Sequence, residues 1–263
     1  MACPPTLRRP RPALRACILL LATWLAGCAG LPPAVNNALP ADALLLGEQH
    51  DAPSHQRLHL DTVRALAARG QIAALALEMA EQGGDTRALG RDADEAAVRQ
   101  ALRWNEQAWP WAAYGPTVMA AVRAGVPVLG ANLPRSQMRA AMGEASLDQR
   151  LPVAALERQR DAIRAGHCGL LPEAQIAPMT RIQIARDLAM ADTVLQASRA
   201  AAGASGPHIV VLVAGSGHVD PALGVPQHLP RGLRAQAITW PPSPPARDYC
   251  ADLRRQMQAP ARP

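Results

Sequence analysis

Two residue types are missing from the 263-residue chain and a third is scarce: there is no Lys, no Phe, and only two Tyr. Beside abundant Ala and Arg, the missing Lys and Phe mark a compositional bias of the source and not a function. The scarcity of Tyr is informative, because Tyr114 and Tyr249 are then the only phenols available to any chemistry. The apolar stretch Ala16 to Ala26 is too short to span a bilayer, which takes on the order of 20 residues. No internal repeat is visible. There is no His-Glu-x-x-His run of a zinc protease, and Ser216 stands in Gly-Ser-Gly without the Gly-x-Ser-x-Gly elbow of a serine hydrolase.

What is present begins with an address. Arg8, Arg9, Arg11 and Arg15 precede the apolar stretch, which ends in Leu25-Ala26-Gly27-Cys28. This order is that of a signal peptide, and its ending resembles a bacterial lipobox, in which cleavage before the cysteine leaves Cys28 to carry lipids. Residues 1–27 are therefore expected to be a lipoprotein signal and 28–40 a tether, with the protein anchored to a membrane without crossing it. Ala29 stands where inner-membrane lipoproteins often carry Asp, so the outer membrane is the expected address. The alternative is an ordinary secretory signal in which Cys28 is incidental.

Removing the signal changes the charge argument. It holds four of the 27 basic residues and none of the 21 acidic ones, so the remainder is near +2 instead of +6. That gives little support for nucleic-acid binding. About 220 residues remain after the tether, enough for one domain with a substantial core. Of five cysteines, only Cys168 and Cys250 are left, in a compartment where disulfides persist. One bridge or two unpaired buried thiols are both open.

Along residues 41–240 the apolar period alternates between two kinds of segment. Ala43 to Gly47, Ala73 to Glu78, Pro127 to Gly130 and Ile209 to Ala214 read as buried parallel strands, with Leu233 to Trp240 as a last one. Ser54 to Arg69, Ala93 to Arg103, Pro116 to Ala124, Val153 to Ala165 and Pro178 to about Ala200 read as helices. The alternation predicts an α/β fold with a mostly parallel sheet flanked by helices. Residues 241–263 form a Pro-rich tail of uncertain order.

The chemistry collects where such a fold places it. Gly47-Glu48-Gln49-His50 follows the first strand, Glu78 ends the second, Asn132-Leu133-Pro134-Arg135 follows the third, and Gly215-Ser216-Gly217-His218 follows the fourth. Ligands of open α/β sheets bind outside the carboxyl ends of the strands, so four distant segments are predicted to converge on one crevice. His55 and His59 lie four apart and share a helix face. Gln183, Arg186, Asp187 and Met190 form one stripe of the long helix, read as a wall of the crevice or, alternatively, as a solvated salt-bridge face.

Leu-Gly-Glu-Gln-His-Asp at 46–51, Leu-Glu-Met at 77–79, Trp-Pro-Trp-Ala-Ala-Tyr at 109–114, Gly-Ala-Asn-Leu-Pro-Arg at 130–135, His-Cys-Gly-Leu-Leu-Pro at 167–172 and Ala-Gly-Ser-Gly-His-Val at 214–219 carry a resemblance. In this order they resemble the ChaN family of haem-binding, iron-uptake lipoproteins in the Tiki-like superfamily, from about Leu44 to Leu229.

The resemblance implies haem as cofactor, two haems stacked face to face in a homodimer, a tyrosine on the iron, and an outer-membrane haem receptor as partner. Tyr114 is then the candidate iron ligand, against a packing role beside Trp109 and Trp111. Arg135 is the candidate partner of a haem carboxylate, against a solvated helix start. Glu48, His50, His55, Glu78, Asn132 and His218 complete the expected haem-binding set. The competing reading is a hydrolase of the Tiki or erythromycin-esterase-like type, metal-dependent or using Glu48, His50, Glu78 and His218 directly.

Overall fold

The computed structural model describes residues 30–202 and 208–258; the expected signal segment and Cys28 lie outside the described residues. Helix α1 (Pro33–Asn37) leads into strand β1 (Ala43–Glu48), then α2 (Pro53–Ala68), β2 (Ile72–Glu81), α3 (Glu95–Ala101), α4 (Trp111–Ala124) and β3 (Val128–Asn132). Next come α5 (Arg135–Gly143), α6 (Val153–Gly166), α7 (Glu173–Ala202), β4 (Ile209–Gly215), β5 (Ala235–Thr239) and α8 (Tyr249–Gln258). The five strands form one parallel sheet in the order β3-β2-β4-β1-β5.

Both faces of the sheet are buried, which is why its strands read as unbroken apolar runs. Side chains alternate between the faces. Leu44, Leu46, Leu75, Leu77, Val211 and Val213 meet α2 and α4 through Val63, Leu66, Val118, Met119 and Val122. Ala43, Leu45, Ala74, Ala76, Val210 and Leu212 meet α7 through Met190, Ala191 and Val194. Each fully buried Leu contributes about 1.5–3 kcal/mol. This parity continues to the strand ends: Glu48 shares the α2/α4 face with Leu46, and Glu78 shares the α7 face with Ala76.

Two helices begin earlier than their proline signals suggest. α4 starts at Trp111 with Pro116 inside it, and α7 starts at Glu173 with Pro178 inside it. An interior proline costs about 3 kcal/mol. Burial of Trp111 and Tyr114 ahead of Pro116, and of Ile176 ahead of Pro178, offsets it. β2 runs three residues past Glu78, with Met79 and Ala80 buried. The tail folds back on the domain, where Cys250 is bridged to Cys168 with a Cα–Cα separation of 5.7 Å, and α8 continues to Gln258. No helix among the described residues is long and apolar enough to cross a membrane.

Candidate functional site

The ends of β1, β4 and β2 lie side by side, and in register Glu48 stands beside Gly215. The bare backbone of Gly215 leaves room for the imidazole of His50 across the strand end. A Cβ there would come within 2.9 Å of His50 Nε2 and 3.5 Å of Glu78 Oε2. His50 thereby spans two carboxylates that face opposite sides of the sheet: Nδ1 is 2.7 Å from Glu48 Oε1, and Nε2 is 3.7 Å from Glu78 Oε2.

On the α2/α4 side, the buried Glu48 also accepts the Tyr114 hydroxyl at 2.7 Å and lies 3.2 Å from His59 Nδ1. Burial alone would raise its pKa, but His50 and His59 outweigh that and hold it below the usual carboxylate range. Burial, reinforced by the charge of Glu48, pushes the Tyr114 phenol far above its ordinary value. Tyr114 is thus a protonated donor here.

On the α7 side, Glu78 accepts the Gly215 N–H at 2.7 Å and lies 3.4 Å from His218 Nε2. His218 Nδ1 is 2.6 Å from Asp187 Oδ1, with the Gln183 amide 3.0 Å from the same nitrogen. Burial would push His218 down; Glu78 and Asp187 overcome it and raise it to about 10. Burial works against Glu78 as well, yet His218, His50 and the Gly215 N–H bring it down to about 2. For Asp187 burial wins over His218, and the carboxyl is raised to about 6. The result is an imidazolium enclosed between two acids.

His50 differs from these groups in being open. Its side chain is 39% exposed, against 7% for His218 and 2% for His59. Burial lowers its pKa, but the bond to Glu48 and the charge of Glu78 raise it on balance. It faces a cavity of about 1110 Å³ walled by Trp109, Pro110 and Ala113 ahead of and within α4, and by Trp240, Pro242 and Tyr249 after β5. A second cavity of about 540 Å³, between α7 and the β2–β3 edge, shares no residue with it.

Of the residues singled out in sequence, Glu48, His50, Glu78 and His218 converge. Asn132 is buried and donates to the Glu78 carbonyl at 2.9 Å, bracing the end of β2. Both ring nitrogens of His55 are taken by backbone, Nδ1 by the Gln49 N–H at 3.0 Å and Nε2 by the Pro241 carbonyl at 3.1 Å. Arg135 is exposed at the start of α5, where its backbone N–H meets Glu81 at 3.1 Å, and it does not line the crevice. From the α7 stripe, Gln183 and Asp187 reach His218, while Met190 belongs to the core. Sequence reasoning did not place Trp240, just after β5, or the tail residues Pro242, Arg247 and Tyr249 at the crevice that they line; within the tail, Cys250 was the signal for its return to the domain. No group of three or more His, Cys, Asp or Glu among the described residues is arranged to hold a metal ion.

Fold and site together define a class: an open, all-parallel α/β domain with a ligand crevice across the carboxyl ends of its strands. The chain belongs to the ChaN family of the Tiki superfamily, described as haem-binding uptake, whose model matches residues 34–229. It is similar to ChaN of Campylobacter jejuni, in a structure of cofacial haem binding, at 22% identity over 78% of this chain and 83% of that one, with a TM-score of 0.64. Weaker likenesses are to a protein of Bacillus cereus, 15% identical over 80% of this chain and 68% of that one, TM-score 0.42, and to the type III effector HopBA1, 17% identical over 71% and 73%, TM-score 0.37. No curated protein matches this chain.

Proposed function

We propose that this chain is a lipid-anchored haem-binding protein that acts in haem or iron uptake and holds haem in the strand-end crevice. The observation that carries the reading is His50, a half-open imidazole fixed 2.7 Å from Glu48 and facing a wide aromatic-walled cavity. The residues present fit a haem: Trp109 and Trp240 offer flat apolar surface, and the imidazole offers a donor nitrogen. A bound haem supplies a ferric iron that takes an axial nitrogen or oxygen. Glu48 fixes the Nδ1 side of His50, so the nitrogen left for iron is Nε2, which lies 3.7 Å from Glu78 and would have to be unprotonated to bind it. Tyr114 also lines the crevice, but it is buried and its hydroxyl is donated to Glu48 at 2.7 Å. His50 is therefore the proposed donor, and Tyr114 the group that steadies Glu48.

The anchor at Cys28, the outer-membrane address, a receptor partner and a homodimer enclosing stacked haems belong to the same proposal. Its test is titration of purified protein with haemin. A saturable Soret shift with haemin-dependent dimerisation in sedimentation is expected, and a protein that leaves the haemin spectrum unchanged would contradict it. Cys28→Ser is expected to leave the membrane fraction; a variant still lipid-modified there would remove the anchor from the account.

One observation favours hydrolysis as a second reading: an imidazole paired through Nδ1 with a carboxylate is also the arrangement of a general base. Ester turnover by metal-free protein, abolished in Glu48→Gln, is what that reading requires.

A further inference from the structure

We infer that the C-terminal strap, residues 241–258, forms a wall of the crevice and recognises the carboxylates of the bound ligand through Arg247. This rests on the haem reading above. The strap lies beyond the 34–229 segment that the family model matches.

Charge makes the first argument. The chain has no Lys, and among the described crevice residues Arg247 is the only Lys or Arg. The crevice also holds the carboxylates of Glu48 and Asp51. The imidazoles of His50 and His218 also line the crevice, but Glu48, Glu78 and Asp187 already hold them, and Arg135 lies elsewhere, so Arg247 is the cationic side chain with donors left for a ligand carboxylate. The guanidinium stacks over the Tyr249 ring, 4.9 Å from its centroid, and its one ion pair among the described residues runs from Nε to Asp252 at 3.3 Å. That leaves the rest of the fork for a carboxylate, the geometry at which Arg binds best.

How the strap is held makes the second argument. α8 has no buried residue, so apolar packing does not fix it. It is fixed by the Cys168–Cys250 bridge and by the turn that carries His50. Asp51 accepts the Ala246 N–H at 2.7 Å and the Tyr249 hydroxyl at 2.9 Å, and Gln49 accepts the Ser243 N–H at 3.1 Å. Within that turn Glu48 and His50 serve the site while Gln49 and Asp51 dock the strap. Arg247 is thereby placed relative to the donor imidazole by its immediate chain neighbours. The bridge and Asp51 act as positioning groups for Arg247.

The test titrates wild type and variants with haemin and with haemin dimethyl ester, whose carboxylates are masked. Arg247→Ala is expected to raise the Kd for haemin about tenfold while the ester changes less than about twofold, and Arg247→Lys to restore part of the difference. The double variant Cys168→Ser/Cys250→Ser, which opens the bridge without freeing either of its thiols to meet iron, is expected to lower the preference for haemin over the ester. Equal losses for both ligands in Arg247→Ala, or no loss, would overturn the inference and leave the strap a latch. A wild type that binds neither porphyrin overturns the haem reading and this inference with it, a result distinct from binding indifferent to Arg247.

Discussion

Glu48 ends β1 and Glu78 stands three residues before the end of β2, on either side of β4 and of one imidazole, yet they are held by different chemistry. Glu48 is surrounded by Tyr114, His50 and His59 at the edge of an open cavity. Glu78 is fully enclosed and bound to an imidazolium that a second buried acid also grips. The parity of the strands produces the difference, since one glutamate turns toward the aromatic helix α4 and the other toward α7. Buried ion pairs stabilise little beyond an apolar substitute, but breaking one leaves a stranded charge. The α7 half is thus the rigid support, and the α4 half, with His50, is the part left free to meet a ligand.

His218→Ala should break the support most severely. It strands Glu78 and Asp187 in the interior, and a loss of about 3–5 kcal/mol in denaturant unfolding is expected. A loss no larger than that of Tyr114→Phe would erase the proposed distinction between the halves. Tyr114→Phe removes one hydrogen bond to a carboxylate that keeps its histidine neighbours, and about 1 kcal/mol is expected.

pH sharpens the same contrast. His218 is raised from 6.5 to about 10 on folding, so its contribution is complete below pH 6.5 and is lost as pH rises through 10. Glu78 is lowered from 4.5 to about 2, so its contribution is complete above pH 4.5 and is lost as pH falls through 2. Asp187, raised from 3.8 to about 6, contributes below pH 3.8 and loses that as pH rises through 6, which softens the acid limb. Melting temperature against pH should therefore fall on both sides, and Glu78→Gln should flatten the acid limb. An unchanged acid limb in that variant would detach Glu78 from the support.

The strand-end residues were legible because two simple rules act on them: buried parallel strands read as apolar runs, and ligands gather at their carboxyl ends. Those rules bring Glu48, Glu78 and His218 together from residues 30 to 170 apart. They do not reveal which face each residue takes beyond the last turn of strand, so Asp187 as the partner of His218 emerged only in the structure. His55 looked like a candidate ligand because helical spacing shows that two histidines share a face, and spacing is blind to the backbone groups that occupy both its nitrogens. Arg135 followed its strand end, but β3 is the edge of the sheet, away from β1 and β4. The strap was illegible for another reason: Pro241 to Pro245 carry no period, and nothing in the pattern says that a tail returns to Gln49 and Asp51.

The central claim is that the open imidazole, and not the buried phenol, is the group that meets the ligand's iron. Titration of wild type, His50→Ala and Tyr114→Phe with haemin, read by absorbance and affinity together, tests it most directly. The account predicts that His50→Ala loses the wild-type spectrum and weakens binding at least about tenfold, while Tyr114→Phe keeps the spectrum. Loss of the spectrum in Tyr114→Phe with its retention in His50→Ala would contradict the claim and assign the iron to a tyrosinate.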